Sequence, residues 1–316
     1  MASAYVASMI ELEQVTKRFG THLAVDHFDL KIPEGSVFGF IGPNGSGKTT
    51  TLRMVLRIIE PDSGNIRVFN KSNHISANDS IGYLPEERGL YRKMTVIRQL
   101  MYFGRLKGMA NKAARQSALE WLERLDLLEW KDKKLETLSK GMSQKIQFIT
   151  TVLARPRLLI LDEPFSGLDP VNLDLLRTII LEMRDAGTTL VFSTHDMHVA
   201  ERLCDHICMI YKGRKVLDGS LDSIQADHGQ NMLRLRYQDG TRLQTGELPG
   251  VSDLRQTGRF YEMRFSGDPN KVLMEAVKVG KVDHFQVIHP SLHDIFVDIA
   301  KPEEKPVSTK EELDNA

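Results

Sequence analysis

The chain has 316 residues, 41% of them hydrophobic, enough to bury one large domain and a second, smaller one. Its 42 Lys and Arg balance 42 Asp and Glu, so bulk charge gives it no reason to coat nucleic acid or anionic lipid. No apolar run approaches the roughly 20 residues that span a bilayer, and the opening MASAYVASMI lacks a charged region followed by an apolar one, so no secretory signal is expected.

In chain order, residues 9–40 read as antiparallel β, with alternation over Met9–Val15 and His27–Ile32 and a turn at Pro33-Glu34-Gly35. Ser36–Ile41 is a short apolar strand ending at a glycine-rich loop. Thr49–Ile59 follows as a helix with Leu52, Val55, Leu56 and Ile59 on one face. Over about 95–153, Val96, Leu100, Phe103 and Leu106 recur at helical spacing. Ala118, Trp121, Leu122 and Leu125 do so on a second helix, which marks an all-helical insert. Leu158–Leu161 is fully apolar, as in a strand buried on both faces of a parallel sheet. A helix over Pro170–Ala186 and a strand over Thr188–Ser193 complete a β-α-β alternation, hence an α/β fold.

From about residue 222 the pattern changes. Met232–Tyr237 and Phe260–Phe265 alternate as strands, and Asp268–Val277 and Ser291–Ile299 read as helices, giving a small α+β domain over 222–300. The tail, 301–316, is nearly devoid of large apolar residues and is expected to be disordered. There is no internal repeat.

The two cysteines, Cys204 and Cys208, flank His206. So few cysteines without a secretion signal suggest a reducing cytosol. Zinc sites usually need four ligands, so the pair reads as packing, one Cys at a helix end and the other on a strand over Ile207–Tyr211. His289 and His293 are separated by Pro290 and fall in the second domain.

Gly42-Pro43-Asn44-Gly45-Ser46-Gly47-Lys48-Thr49 fits G-x-x-x-x-G-K-[ST] between a predicted strand and a predicted helix. Glycines let backbone N–H groups crowd a phosphate, and the helix adds the positive end of its dipole. Lys48 is expected to reach the β and γ phosphates of ATP and the Thr49 hydroxyl to hold Mg²⁺, with Thr50 completing the nucleotide-binding set. Downstream, the apolar strand runs into Asp162 and Glu163. Asp162 suits Mg²⁺, bound through water, and Glu163 suits polarisation of the attacking water. Ser139, in Leu138-Ser139-Lys140-Gly141-Met142, is a natural N-cap for a helix over Met142–Ala154.

The order of these motifs, with Ser166-Gly167-Leu168-Asp169 and then His195 in STHD, resembles the ABC ATPase cassette over about residues 9–220. The domain after 222 and the segment Ile81–Leu90 resemble a drug- and ion-export subgroup of that family. The resemblance implies an α/β cassette over 9–221 with an antiparallel β subdomain and a helical subdomain, followed by the accessory domain. It implies that Phe19 stacks on adenine, that Ser139 and Gly141 cap the γ-phosphate of ATP held by an opposite subunit, that Asp169 couples the two sites, and that His195 contacts the γ-phosphate. Glu86 stands where the family usually has Gln, beside Mg²⁺ or its water. Its added negative charge near ATP leads to the expectation that it turns away in the resting state. Lys140 and Met142 also depart from the family's usual Gly and Gln.

On this reading ATP closes two nucleotide-binding subunits on each other, hydrolysis reopens them, and a separate transmembrane permease on the membrane's cytoplasmic face converts the cycle into transport, by resemblance export. The helical insert, led into by Glu86–Arg92, is the expected docking surface, and no nucleic-acid partner is expected. One rival is a soluble ABC ATPase acting on ribosomes or DNA, which by resemblance needs a second cassette or a long coiled coil that this chain does not show. The other is a non-hydrolysing regulator, which the intact Lys48, Asp162, Glu163 and His195 oppose. The cargo is not encoded in any motif.

Overall fold

The computed structural model describes residues 8–71, 80–87, 89–228, 232–238 and 240–300. The tail expected to be disordered, 301–316, lies outside the described residues. The chain divides into two compact units between Leu221 and Asp222.

The first unit begins with the antiparallel pair β1 (Ser8–Phe19) and β2 (His22–Pro33), then β3 (Val37–Ile41), α1 (Lys48–Val55), β4 (Ser63–Val68) and β5 (Ile81–Leu84). The helical insert follows as α2 (Val96–Leu106), α3 (Asn111–Arg124) and α4 (Lys140–Val152). The chain returns through β6 (Leu158–Asp162), α5 (Pro170–Asp185), β7 (Thr189–Thr194), α6 (Met197–Leu203), β8 (His206–Tyr211) and β9 (Arg214–Gly219).

β3, β6 and β7 are buried at every position, as their unbroken apolar runs require of strands covered on both faces. They lie in a six-stranded sheet of order β5-β6-β7-β3-β8-β9, parallel except for the last pair. Because β7 runs between β3 and β6, the loops leaving all three emerge together at the carboxyl edge of the sheet, where open α/β sheets bind ligands. A second sheet, β2-β1-β4, is antiparallel. It shares a core with the main sheet through Phe28, Phe38, Phe40 and Leu52, while the insert packs on the main sheet through Leu100, Leu122, Phe148 and Leu161.

Two local expectations fail for identifiable reasons. The helix expected over Thr49–Ile59 runs from Lys48 only to Val55. Arg57 adopts a left-handed φ of 54°. Ile58 N–H donates to Arg53 O at 2.9 Å and Arg57 N–H to Met54 O at 3.0 Å, a Schellman closure that satisfies the last carbonyls. Leu56 and Ile59 still pack, half-buried, against the core. Leu106, expected on the apolar stripe of α2, is 59% exposed. Six residues beyond Leu100 is roughly 240° around a helix. The inner position at that end is Gly104, where a Cβ would come within 2.8 Å of Leu153 and 3.0 Å of Ala114.

The second unit contains α7 (Leu221–His228), β10 (Met232–Tyr237), β11 (Val251–Thr257), β12 (Phe260–Phe265), α8 (Pro269–Val279), β13 (Val282–Ile288) and α9 (Leu292–Ala300). Its antiparallel sheet has the order β11-β12-β10-β13. Leu233, Leu235, Tyr237, Tyr261, Met263 and Phe265 alternate inward from the two central strands onto Val272 and Ala276 of α8.

Candidate nucleotide site

The loop after β3 is shaped by glycines that no other residue can replace. Gly42 and Gly47 have φ of 151° and 113°. A Cβ on Gly42 would lie 2.2 Å from Ile210 O, and one on Gly47 would lie 2.5 Å from Ala24 O. The loop is therefore threaded between β2 and β8. The turn after β8 supports it, with Gly213 N–H donating to Ser46 O at 2.9 Å. Lys48 opens α1 and is buried, its Nζ donating to Gly42 O at 2.7 Å and to Pro43 O at 3.1 Å. Burial pulls its ammonium below the ordinary lysine value, and the carboxylates of Glu163, Asp162 and Glu86 act in the opposite direction.

Asp162 ends β6 with its side chain buried. Oδ1 accepts from Thr49 Oγ1 at 3.2 Å and from the Ser193 hydroxyl. Oδ2 has no hydrogen-bond partner among the described residues. A buried carboxylate oxygen without a donor is costly and suits a cation.

Glu163 has a left-handed φ of 50°, uncommon outside glycine, and its N–H donates to Ser193 O at 3.1 Å. Its Oε1 accepts from His195 N–H at 3.1 Å and lies 2.8 Å from His195 Nδ1, while Thr194 Oγ1 donates to Oε2 at 3.4 Å. The acid after β6 is thus held by the residues that leave the neighbouring strand β7.

These groups border an open cleft of about 420 Å³, lined by Phe19, His22, Ala24, Glu86, Glu163 and the 44–50 loop. Phe19 is 49% exposed at the end of β1, with Lys17 Nζ 5.6 Å from its ring centroid. Glu86 does not turn away as expected. It lines this cleft, and its charge is felt by Lys48.

Ser139, Gly141 and Asp169 are not among the residues lining this cleft. Ser139 caps α4 by accepting from Met142 N–H at 3.2 Å. A Cβ on Gly141 would meet nothing within 4 Å, so nothing among the described residues requires glycine there. Lys140 lies across Gly167, where an added Cβ would be 2.7 Å from its Nζ. Asp169 caps α5, accepting from Asn172 N–H at 3.0 Å, and the Asn172 hydrogen bonds hold its carboxyl below the usual range.

The ABC transporter family profile matches residues 25–166, and the profile described as ATP-binding protein DrrA1-3-like, C-terminal domain, matches 219–300. An uncharacterized ABC transporter ATP-binding protein of Bacillus subtilis, YhaQ, is 42% identical over 92% of this chain and 98% of its own length. The chain belongs to the ABC transporter ATP-binding proteins. Nod factor export ATP-binding protein I of Cupriavidus metallidurans is 35% identical over 68% of this chain and 72% of its own. A solved structure of an ATP-binding subunit of an ABC transporter superposes with a TM-score of 0.65, at 26% identity over 70% of this chain and 94% of that one.

Members of the ABC family hydrolyse ATP with Mg²⁺, and the residues present fit both: a glycine cradle for phosphate, a buried lysine, and an orphaned carboxylate oxygen beside a threonine hydroxyl. Three contributors had no motif to announce them. His22 and Ala24 reach the cleft because β2 alternation puts them on one face. Ser193 binds the acid of the adjacent strand, which only the β6–β7 register reveals.

Proposed function

We propose that residues 9–221 work as an ATPase cassette that is complete only when two nucleotide-binding subunits close on each other. The observation that supports this is the division of the machinery. Lys48, Thr49, Glu86 and Glu163 share one cleft, whereas Ser139 and Gly141 lie outside it at the start of α4. In this reading Phe19 stacks on adenine, the 42–50 loop and Lys48 hold the phosphates, and Thr49, Asp162 and Glu86 hold Mg²⁺ or its water. Bound Mg²⁺ supplies positive charge to the β and γ phosphates. Glu163 takes a proton from water as the water oxygen attacks the γ-phosphorus and the bond to the β–γ bridging oxygen breaks, releasing ADP. His195 orients Glu163 and contacts the γ-phosphate. Ser139 and Gly141 cap the partner's ATP, and Asp169 links the two sites.

No described helix is long and apolar enough to cross a membrane. We assign the chain to the cytoplasmic face of a membrane, docked through its helical insert on a transmembrane permease that it energises for export. The export relative and the DrrA-like second unit support the direction. Gentle detergent extraction should bring a multi-span protein down with this chain and raise its ATPase rate on reconstitution. Recovery of ribosomes or DNA instead would refute the transport assignment.

The 222–300 unit has its own core, and no group of His, Cys, Asp or Glu suited to a metal occurs among the described residues. It is assigned a role in stabilising or regulating the dimer rather than in chemistry. A chain ending at residue 221 should bind ATP within a few-fold of full length by fluorescent-nucleotide titration. Loss of binding by that chain while it remains folded would contradict the assignment.

A further inference from the structure

Helix α4, which begins in the segment Leu138–Met142 (the signature), carries two buried glutamines three residues apart, and both donate to carbonyls next in sequence to residues that line the nucleotide cleft. Gln144 Nε2 donates to Pro164 O at 3.1 Å, at the residue that follows Glu163. Gln147, 3% exposed, donates through one Nε2 to Pro85 O and to Glu87 O, each at 3.2 Å. Those two carbonyls bracket Glu86, which lines the cleft. A third buried amide, Gln99, accepts from Tyr91 N–H at 2.8 Å and anchors the far end of the same loop to α2.

The Gln147 side chain is a poor choice for stability alone. Its Oε1 has no hydrogen-bond partner among the described residues, and a buried amide oxygen without a donor is unfavourable. A leucine of similar volume would avoid that cost but would leave Pro85 O and Glu87 O without their donor. What the amide provides is a joint: the 85–87 loop is fastened to the middle of α4. Eight residues of helix, roughly 12 Å at 1.5 Å per residue, separate Gln147 from the N-cap Ser139. Within a continuous helix, a displacement at Gln147 is carried to Ser139 and Gly141.

We propose that Gln147 is a positioning residue that sets the signature end of α4 according to the state of the Glu86 loop, so that a subunit with ATP in its own cleft presents Ser139 to its partner. This rests on the reading that Ser139 caps the partner's nucleotide. Gln144 braces the same helix against the segment after Glu163, so α4 is tied both to the Glu86 loop and to the segment that carries the base of its own cleft.

The test uses full-length protein carrying Glu163→Gln, alone and with Gln147→Leu. Gln147→Met is a second variant of similar size that also lacks the donor. Fluorescent-ATP titration should place the affinity of each double variant within threefold of the parent. The ATP concentration that drives dimerisation with Mg²⁺, followed by light scattering, should rise at least tenfold. An unchanged dimerisation curve overturns the proposal. So does a parallel loss of melting temperature and ATP affinity, the pattern of a merely structural residue. A parent that stays monomeric would be a failure of the closure reading itself. In that case hydrogen exchange at the Gly141 and Met142 amides decides. An ATP-induced change in wild type that Gln147→Leu abolishes supports the joint, and an equal change in both, or none in wild type, overturns it.

Discussion

Glu163→Gln should lower the Mg²⁺-dependent ATPase rate by roughly 10²–10⁴-fold, the usual contribution of general-base assistance, while ATP binding is kept. The substitution preserves shape and leaves an oxygen to accept from His195 N–H, so the contacts at 3.1 Å and 2.8 Å that hold the side chain need not break. The left-handed backbone at 163 is held by Ser193 O and does not depend on the side chain. What disappears is a site for the proton of the attacking water. The substitution also removes one negative charge from a cleft that Glu86 lines as well, which favours an incoming polyphosphate. Rapid-quench hydrolysis and fluorescent-ATP binding measured on one preparation separate the two effects. Normal hydrolysis by this variant would exclude Glu163 as the base.

Lys48→Ala should weaken ATP binding by roughly 10- to 150-fold, the equivalent of one charge-assisted hydrogen bond of roughly 1.5–3 kcal/mol, and should abolish measurable hydrolysis at modest ATP concentrations. The structure makes this residue more than a surface cation. Its ammonium is already buried, which pulls it below the ordinary lysine value, and it is held on Gly42 O and Pro43 O at the mouth of the loop. Removing it leaves Glu163, Asp162 and Glu86 without the cation they face. An incoming phosphate would then meet these carboxylates with only the loop's N–H groups and the start of α1 to offset them. Circular dichroism and melting establish that the variant is folded. Wild-type hydrolysis by the folded variant would show that the phosphate site lies elsewhere.

What was legible in the sequence is what short-range physics dictates. β3, β6 and β7 announced themselves as unbroken apolar runs because both their faces are covered. β10 and β12 were readable because only one face is buried and the side chains alternate. The edge strands β11 and β13 of the same sheet were not, since half-exposed positions dilute the alternation that central strands show. The early end of α1 depends on Arg57 adopting a conformation more usual for glycine, which no local pattern marks. At the site, the phosphate loop was visible in its spacing, and the Asp162–Glu163 pair in the apolar run that ends in it downstream of that loop. The contacts that orient them could not, because Ser193, His195, Gln144 and Gln147 reach their partners across strands and helices far apart in the chain.

Ser139 and Gly141 lie outside the cleft that holds Lys48 and Glu163, so the account stands or falls on whether ATP joins two subunits. The measurement is size-exclusion chromatography with light scattering on Glu163→Gln, with and without ATP and Mg²⁺, beside Glu163→Gln carrying Ser139→Arg. The account predicts a dimer for the first protein only when ATP is present, and a monomer throughout for the second. A Glu163→Gln protein that binds ATP, has stopped hydrolysing it and remains a monomer would contradict closure around the nucleotide. A dimer that survives Ser139→Arg would show that the signature does not complete the partner's site.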